Sequence, residues 1–108
     1  MRVHQRELSG NDRARTEGHA EGTVRVVTAG RRIVGAHVLA PAAGDVINEF
    51  AVAIDRGLAL PDLGMIVHVY PTIATDVGRV AADEQLALAR RLRPVARWTA
   101  RWRGRRAR

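Results

Sequence analysis

The residues with the clearest chemical capability lie close together in His68-Val69-Tyr70-Pro71-Thr72. An imidazole moves protons near neutral pH, a phenol donates a hydrogen bond, and a hydroxyl does either. Proline fixes its own φ and pushes Tyr70 out of the helical region, so the chain must reach Pro71 extended and leave at a defined angle. On extended chain His68 and Tyr70 return to one face roughly 6 to 7 Å apart. The other histidines, His4, His19 and His37, are scattered without the spacing of a metal site. Asp45 and Glu49 stand one helical turn apart and read as the solvated face of a helix rather than as a carboxylate pair. No nucleophile–base pair, metal-ligand cluster or Gly-x-Gly-x-x-Gly loop is present, so an autonomous enzyme lacks its parts. The chain has no cysteine, which excludes a disulfide framework, a thiolate metal site and a redox dithiol within it.

These side chains need elements to hold them. With 108 residues and 46% apolar content, the chain has room for one domain and one modest core. Val3 to Leu8 alternates weakly and reads as a short strand, and Ser9 to Gly22 as a long polar loop in which Asn11 to Arg15 makes local turns. Thr23 to Thr28 and Ile33 to Leu39 form an antiparallel hairpin, with Gly35 suited to a bulge or a close backbone approach. After Pro41, the three- and four-residue spacing of Val46, Ile47, Phe50, Ala51 and Ile54 predicts a helix, with Asp45 at its positive end and Gly57 as its cap. Leu58 to Met65 reads as a connector with a short turn around Asp62, and Ile66 to Tyr70 as extended chain. From Thr72, the positions of Ile73, Val77, Val80, Leu86 and Leu88 predict a second helix, weakened at Gly78 and broken before Pro94.

The net charge of +7 is unevenly placed: residues 1 to 89 sum to −2, and Arg90 to Arg108 carry nine arginines and no acid. An all-arginine usage beside abundant Ala, Val and Gly reads as coding bias before it reads as phosphate binding. Leu88, Leu92, Val95, Trp98 or Thr99, and Trp102 trace an apolar stripe, with Arg90, Arg93, Arg97 and Arg101 largely off it. Such a basic amphipathic helix suits docking on its own domain, an anionic membrane surface or nucleic acid. No signal-peptide core or membrane-length apolar run is visible, so the default expectation is a cytoplasmic protein.

Asn11-Asp-Arg-Ala-Arg-Thr-Glu-Gly18, a strand, and the run RIVGAHVLAPAAGDVINEFAVAIDRGLALPDLGMIVHVYPTIATDV together resemble the C-terminal dimerisation domain of the pyridine nucleotide-disulfide oxidoreductases. This is the flavoprotein family of dihydrolipoamide dehydrogenase, glutathione reductase and mercuric reductase. The resemblance covers about residues 2 to 90, and tyrosine before Pro-Thr is most similar to the mercuric reductase-like members. It implies an α+β fold, a small antiparallel sheet flanked by helices over residues 1 to 90, with a basic helical tail over 91 to 108. It also implies that the sheet lacks its first strand and helix, and that the chain is a fragment, a remnant reading frame or a subunit separate from its partner domains.

Functionally, the resemblance implies a homodimerisation module, not catalytic alone, with Ile47, Phe50, Tyr70, Pro71 and Thr72 as interface residues. FAD and NAD(P) are implied for the full-length parent and not for this chain, which also offers no metal site. In the family the x-Pro-Thr turn reaches toward the partner's flavin and redox cysteines. There a histidine before the proline pairs with a glutamate five residues on, and the pair shuttles a proton. Here those positions hold Tyr70 and Thr75, and a phenol with an ordinary pKa near 10 is a poor base at neutral pH. Tyr70 and His68 remain the candidates for chemistry, with His68 and Asp76 displaced from the family positions. A different class of function stays open beside it: a small standalone binding protein whose arginine-rich tail contacts anionic lipid or nucleic acid.

Overall fold

The computed structural model describes residues 1–105, with side chains described through residue 92. Strands β1 (Arg2–Glu7), β2 (Thr23–Ala29) and β3 (Arg32–Leu39) form an antiparallel sheet in the order β1-β2-β3. Four helices join it: α1 (Asp12–Thr16), α2 (Ala43–Asp55), α3 (Leu60–Gly64) and α4 (Thr75–Arg105). The fold is therefore α+β, a small antiparallel sheet flanked by helices, as expected.

Alternation decides which face is buried. Val24, Val26 and Thr28 of β2 and Ile33 of β3 turn inward, where they meet Val46, Phe50 and Ala53 of α2, Leu60 and Leu63 of α3, and Val77, Val80 and Ala81 of α4. The hairpin register slips by one residue between Val27 and Thr28, which pair with Gly35 and Ile33, so the bulge sits at Val34 beside the glycine that suggested it. Helix α2 ends as its sequence requires: Gly57 has φ 65°, Leu58 N–H reaches Ala53 O at 2.9 Å and Gly57 N–H reaches Ile54 O at 3.1 Å. Helix α3 starts where the Asp62 carboxylate accepts the Ala59 N–H at 2.8 Å.

Strand β1 builds its inner face differently. Arg2, His4 and Arg6 lie opposite Thr28, Val26 and Val24 in the ladder and point to the same side. They meet acids of α4 rather than apolar groups: Arg2 to Glu84 at 2.7 Å, His4 to Glu84 at 3.2 Å, and Arg6 to Asp83 at 2.6 Å and Asp76 at 3.3 Å. His4 also bonds the buried hydroxyl of Thr28 at 3.0 Å. This ionic seam explains why the strand alternates weakly in sequence.

Three expectations need correction. Residues 9 to 22 are not one long loop: a 3-10 turn (Leu8–Gly10) leads into α1, whose N-cap Asn11 is buried and accepts the Ala14 N–H at 3.0 Å. A short helix needs only its cap and one buried face, here Ala14, and five residues are too few to show a period. Next, α4 begins at Thr75 rather than Thr72 and runs through Pro94 without the predicted break. Proline removes one N–H and crowds one turn, and the preceding run Gln85–Arg93 consists of strong helix formers that offset that local cost. The division drawn between residues 90 and 91 accordingly falls inside α4. Finally, Phe50, expected on a pairing surface, is fully buried in the chain's own core. The side chains of Trp98, Trp102 and the arginines from Arg93 onward lie outside the described residues, and so does the choice among the tail's docking, membrane and nucleic-acid readings.

One backbone position runs against its residue type. Ala42, at the N-cap of α2, has φ 55° and ψ 29°, a left-handed conformation that costs an L-residue with a Cβ about 1–2 kcal/mol. Ala42→Gly is expected to stabilise the fold by about 0.5–1 kcal/mol, the relief of strain being partly cancelled by a freer unfolded chain. A higher urea midpoint at unchanged m-value is the observable.

Candidate functional site

Between α3 and α4 the chain forms a strap, Met65–Tyr70, in neither helix nor strand. Its apolar side chains point to solvent: Met65 is 80% exposed, Ile66 48%, Val67 93%, Val69 74% and Tyr70 63%. The strap ends at a cis Tyr70–Pro71 peptide. Thr72 closes the turn, its hydroxyl donating to Val69 O at 2.6 Å, while Thr75 Oγ1 donates to the same carbonyl at 3.3 Å. Thr75, where the resemblance leads one to look for a carboxylate, is thus a turn-closing hydroxyl at the start of α4.

The turn is anchored from α1. Asn11 Nδ2 donates to Thr72 O at 3.1 Å while its oxygen caps α1, so one buried amide joins two segments 61 residues apart. Sequence reading takes Asn11 as a loop residue because its partner is a backbone carbonyl far along the chain. Next to it, Tyr70 donates its hydroxyl proton to Asp12 Oδ2 at 2.7 Å. That hydrogen bond, then the charge of Asp12 and a little desolvation, raise the phenol's pKa above its ordinary 10.0, with Arg79 pulling the other way. The phenol form carries the bond, so its contribution is complete below the unfolded pKa and is lost as pH climbs through the higher folded one. Tyr70 is the chain's only tyrosine. Phenolate absorbance near about 295 nm is therefore expected to titrate above the ordinary value of about 10, and Asp12→Ala to bring the midpoint back down.

The other residues singled out from sequence separate in space. His68 is the inward-facing member of the strap: its side chain is 9% exposed, and Nε2 lies 2.8 Å from Glu49 Oε1 of α2. Its Nδ1 side rests on Gly78 of α4. Both ring nitrogens are turned inward, and the imidazole pairs with a carboxylate of α2, not with a group of α4. Glu49 is consequently more than a solvated helix residue, whereas Asp45 is exposed as expected. Asp76 is fully buried and turns toward β1, where Oδ1 accepts from Arg6 at 3.3 Å and Arg79 at 3.5 Å; Oδ2 has no protein partner among the described residues. Ile47 is half-buried against the core, and Pro71 and Thr72 lie at the exposed end of the strap. Beside the turn an open hollow of about 420 Å³ is lined by Arg13, Asp45, Glu49, Pro71, Thr72 and Ile73. No group of three or more metal-ligating side chains occurs among the described residues.

A capped loop, a glycine-bulged hairpin, an acidic-apolar helix and a proline turn anchored by asparagine define a class that known proteins share. Residues 1–81 match the dimerisation domain of the pyridine nucleotide-disulphide oxidoreductases, and the chain belongs to that family. Among individual proteins it is similar to mitochondrial dihydrolipoyl dehydrogenase. The Mesocricetus auratus protein is 33% identical over 69 residues, covering 62% of this chain and 14% of that protein. The Rattus norvegicus protein is 35% identical over the same length. Among solved structures, LpdA from Mycobacterium tuberculosis superposes with a TM-score of 0.71 at 25% identity, over 76% of this chain and 18% of that one. The flavoprotein disulfide reductase RclA from Escherichia coli shares the fold, with a TM-score of 0.71 at 19% identity over 75% of this chain and 19% of that one. This chain therefore spans about a seventh of the length of the curated relatives it matches.

Proposed function

We propose that the chain pairs with a second copy of itself, as the homodimerisation module of an FAD- and NAD(P)-dependent disulfide oxidoreductase, and is not catalytic alone. The observation that carries the reading is the strap: five apolar side chains, Met65, Ile66, Val67, Val69 and Tyr70, exposed within six residues and ending at the Pro71–Thr72 turn. Exposed apolar surface of this kind is what one protein presents to another. Tyr70, Pro71 and Thr72 belong to this pairing surface, whereas Ile47 lines a separate hollow with β2 and β3 and is not part of it. Phe50 supports the fold from within the core.

FAD and NAD(P) belong to the parent's other domains. A dinucleotide needs a strand leading through a glycine-rich turn into a helix N-terminus. Here β3 passes to α2 through Ala40-Pro41-Ala42, and β1 and β2 lead into no such turn. The described residues do not fit the cofactors, and no chemical step is assigned to them. What the chain offers a partner's site is Tyr70, whose phenol Asp12 keeps protonated, so that it serves as a hydrogen-bonding group and not as a base.

Light scattering after size exclusion tests the proposal. A compact species of twice 11.8 kDa at both low and high salt is expected, because apolar contacts resist screening. Val69→Asp should shift the species to monomer, weakening pairing by about 30-fold or more, with little change in thermal midpoint since Val69 is exposed in the single copy. A wild-type chain that stays monomeric at high concentration sinks the reading.

A further inference from the structure

We infer that His68 is the peg that fixes the pairing strap, a positioning residue for the dimer that does not itself touch the partner. The inference rests on the proposed pairing through that strap.

The strap has little else to hold its middle. Its backbone joins no sheet, and its ends are tied by Ile66 N–H to Leu63 O at one side and by the Thr72 and Thr75 hydroxyls on Val69 O at the other. Between these ties Val67 and Val69 point outward, and only His68 turns in. Its ring is gripped from two helices. Glu49 of α2 meets Nε2 at 2.8 Å. On α4, Gly78 leaves the ring its seat: a Cβ there would stand 2.7 Å from Nδ1 and 3.0 Å from Cε1, closer than packed atoms allow.

This seat explains a glycine inside a helix. Gly78 lowers the intrinsic helix propensity of α4, and alanine at an open helical position would raise it. The helix nevertheless carries glycine where the imidazole lies. The charged and titratable groups at the peg are Glu49 on α2 and the imidazole itself; Asp76 and Arg79 flank Gly78 in sequence but bond Arg6 and Gly10 O instead. Holding the middle of the strap in one conformation before association removes an ordering cost from pairing, which is how a residue outside an interface can strengthen it.

Two variants approach the peg from opposite sides, read by hydrogen–deuterium exchange of residues 65–70 and by the dimer dissociation constant from sedimentation. His68→Ala removes the ring. Gly78→Ala leaves the strap's sequence intact and fills the seat. Each is expected to speed exchange in residues 66–69 and to raise the dissociation constant by about tenfold, the scale of one lost charge-assisted hydrogen bond. Exchange in β2 should stay slow in both. Gly78→Ala is the sharper arm, because a residue with a merely structural role would let alanine strengthen the helix and slow exchange around it. The inference is overturned if either variant, once folded, leaves strap exchange and the dissociation constant within twofold of wild type. A monomeric wild type would remove the pairing reading by itself, and exchange in residues 66–69 would still decide whether His68 pegs the strap.

Discussion

Gly22→Ala is expected to cost the fold about 4 kcal/mol, most of the stability of a marginal domain of this size. Gly22 precedes β2 with φ 133°, a conformation essentially closed to residues with a side chain. A Cβ built there would stand 2.1 Å from Leu39 O and 3.0 Å from Leu8 Cδ1. The first of these atoms is backbone at the end of β3, and the second belongs to a fully buried core residue, so neither can yield cheaply. Gly22 O also accepts the Leu8 N–H at 3.0 Å, which fixes the loop's return to the sheet. Circular dichroism at 25 and 37 °C is the direct check. A folded, wild-type-like Gly22→Ala protein would show that the loop can be rebuilt.

Phe50→Ala separates core from interface. Phe50 is the largest fully buried side chain among the described residues, and truncating such a phenylalanine costs about 3–5 kcal/mol through lost transfer energy and the cavity left behind. The variant should unfold at a much lower denaturant concentration, and any folded fraction should retain the pairing behaviour of the wild type. Were Phe50 an interface residue, the result would be the reverse: a stable monomer with a normal melting temperature. Urea titration combined with sedimentation distinguishes the two patterns. Val69→Asp is expected to give the opposite outcome from Phe50→Ala, which makes the pair informative together.

The hairpin β2–β3 and helix α2 were legible because their side chains follow the two simplest periods, and Gly57 marked the end of α2 as a left-handed cap should. What escaped depended on partners distant in sequence. Asn11 looks like a turn residue until Thr72 O is brought beside it. The helical spacing that located α2 placed Phe50 on its apolar stripe without saying whether the stripe faces inward or toward another copy. His68 and Glu49, 19 residues apart on different elements, share no spacing rule, and Gly78 looked like a flaw in α4 until the imidazole was found lying on it. One signal was available for the strap: Gly64-Met-Ile-Val-His-Val-Tyr70 places a single polar residue within an apolar run next to a proline, a pattern that fits a polar peg beneath exposed apolar neighbours.

The ionic seam under β1 also implies an order of assembly. A folding nucleus gains from apolar contacts, which are non-directional and form while the chain is still loosely arranged. The hairpin, α2, α3 and the first turns of α4 supply those contacts; the inner face of β1 supplies Arg2, His4 and Arg6, which gain little until Asp76, Asp83 and Glu84 are already in place. Strand β1 is therefore expected to complete its inner-face contacts late, on a surface that the rest of the domain has already formed. Arg6→Ala and Arg2→Ala are accordingly expected to speed unfolding more than they slow refolding, which the two limbs of a stopped-flow urea chevron would read.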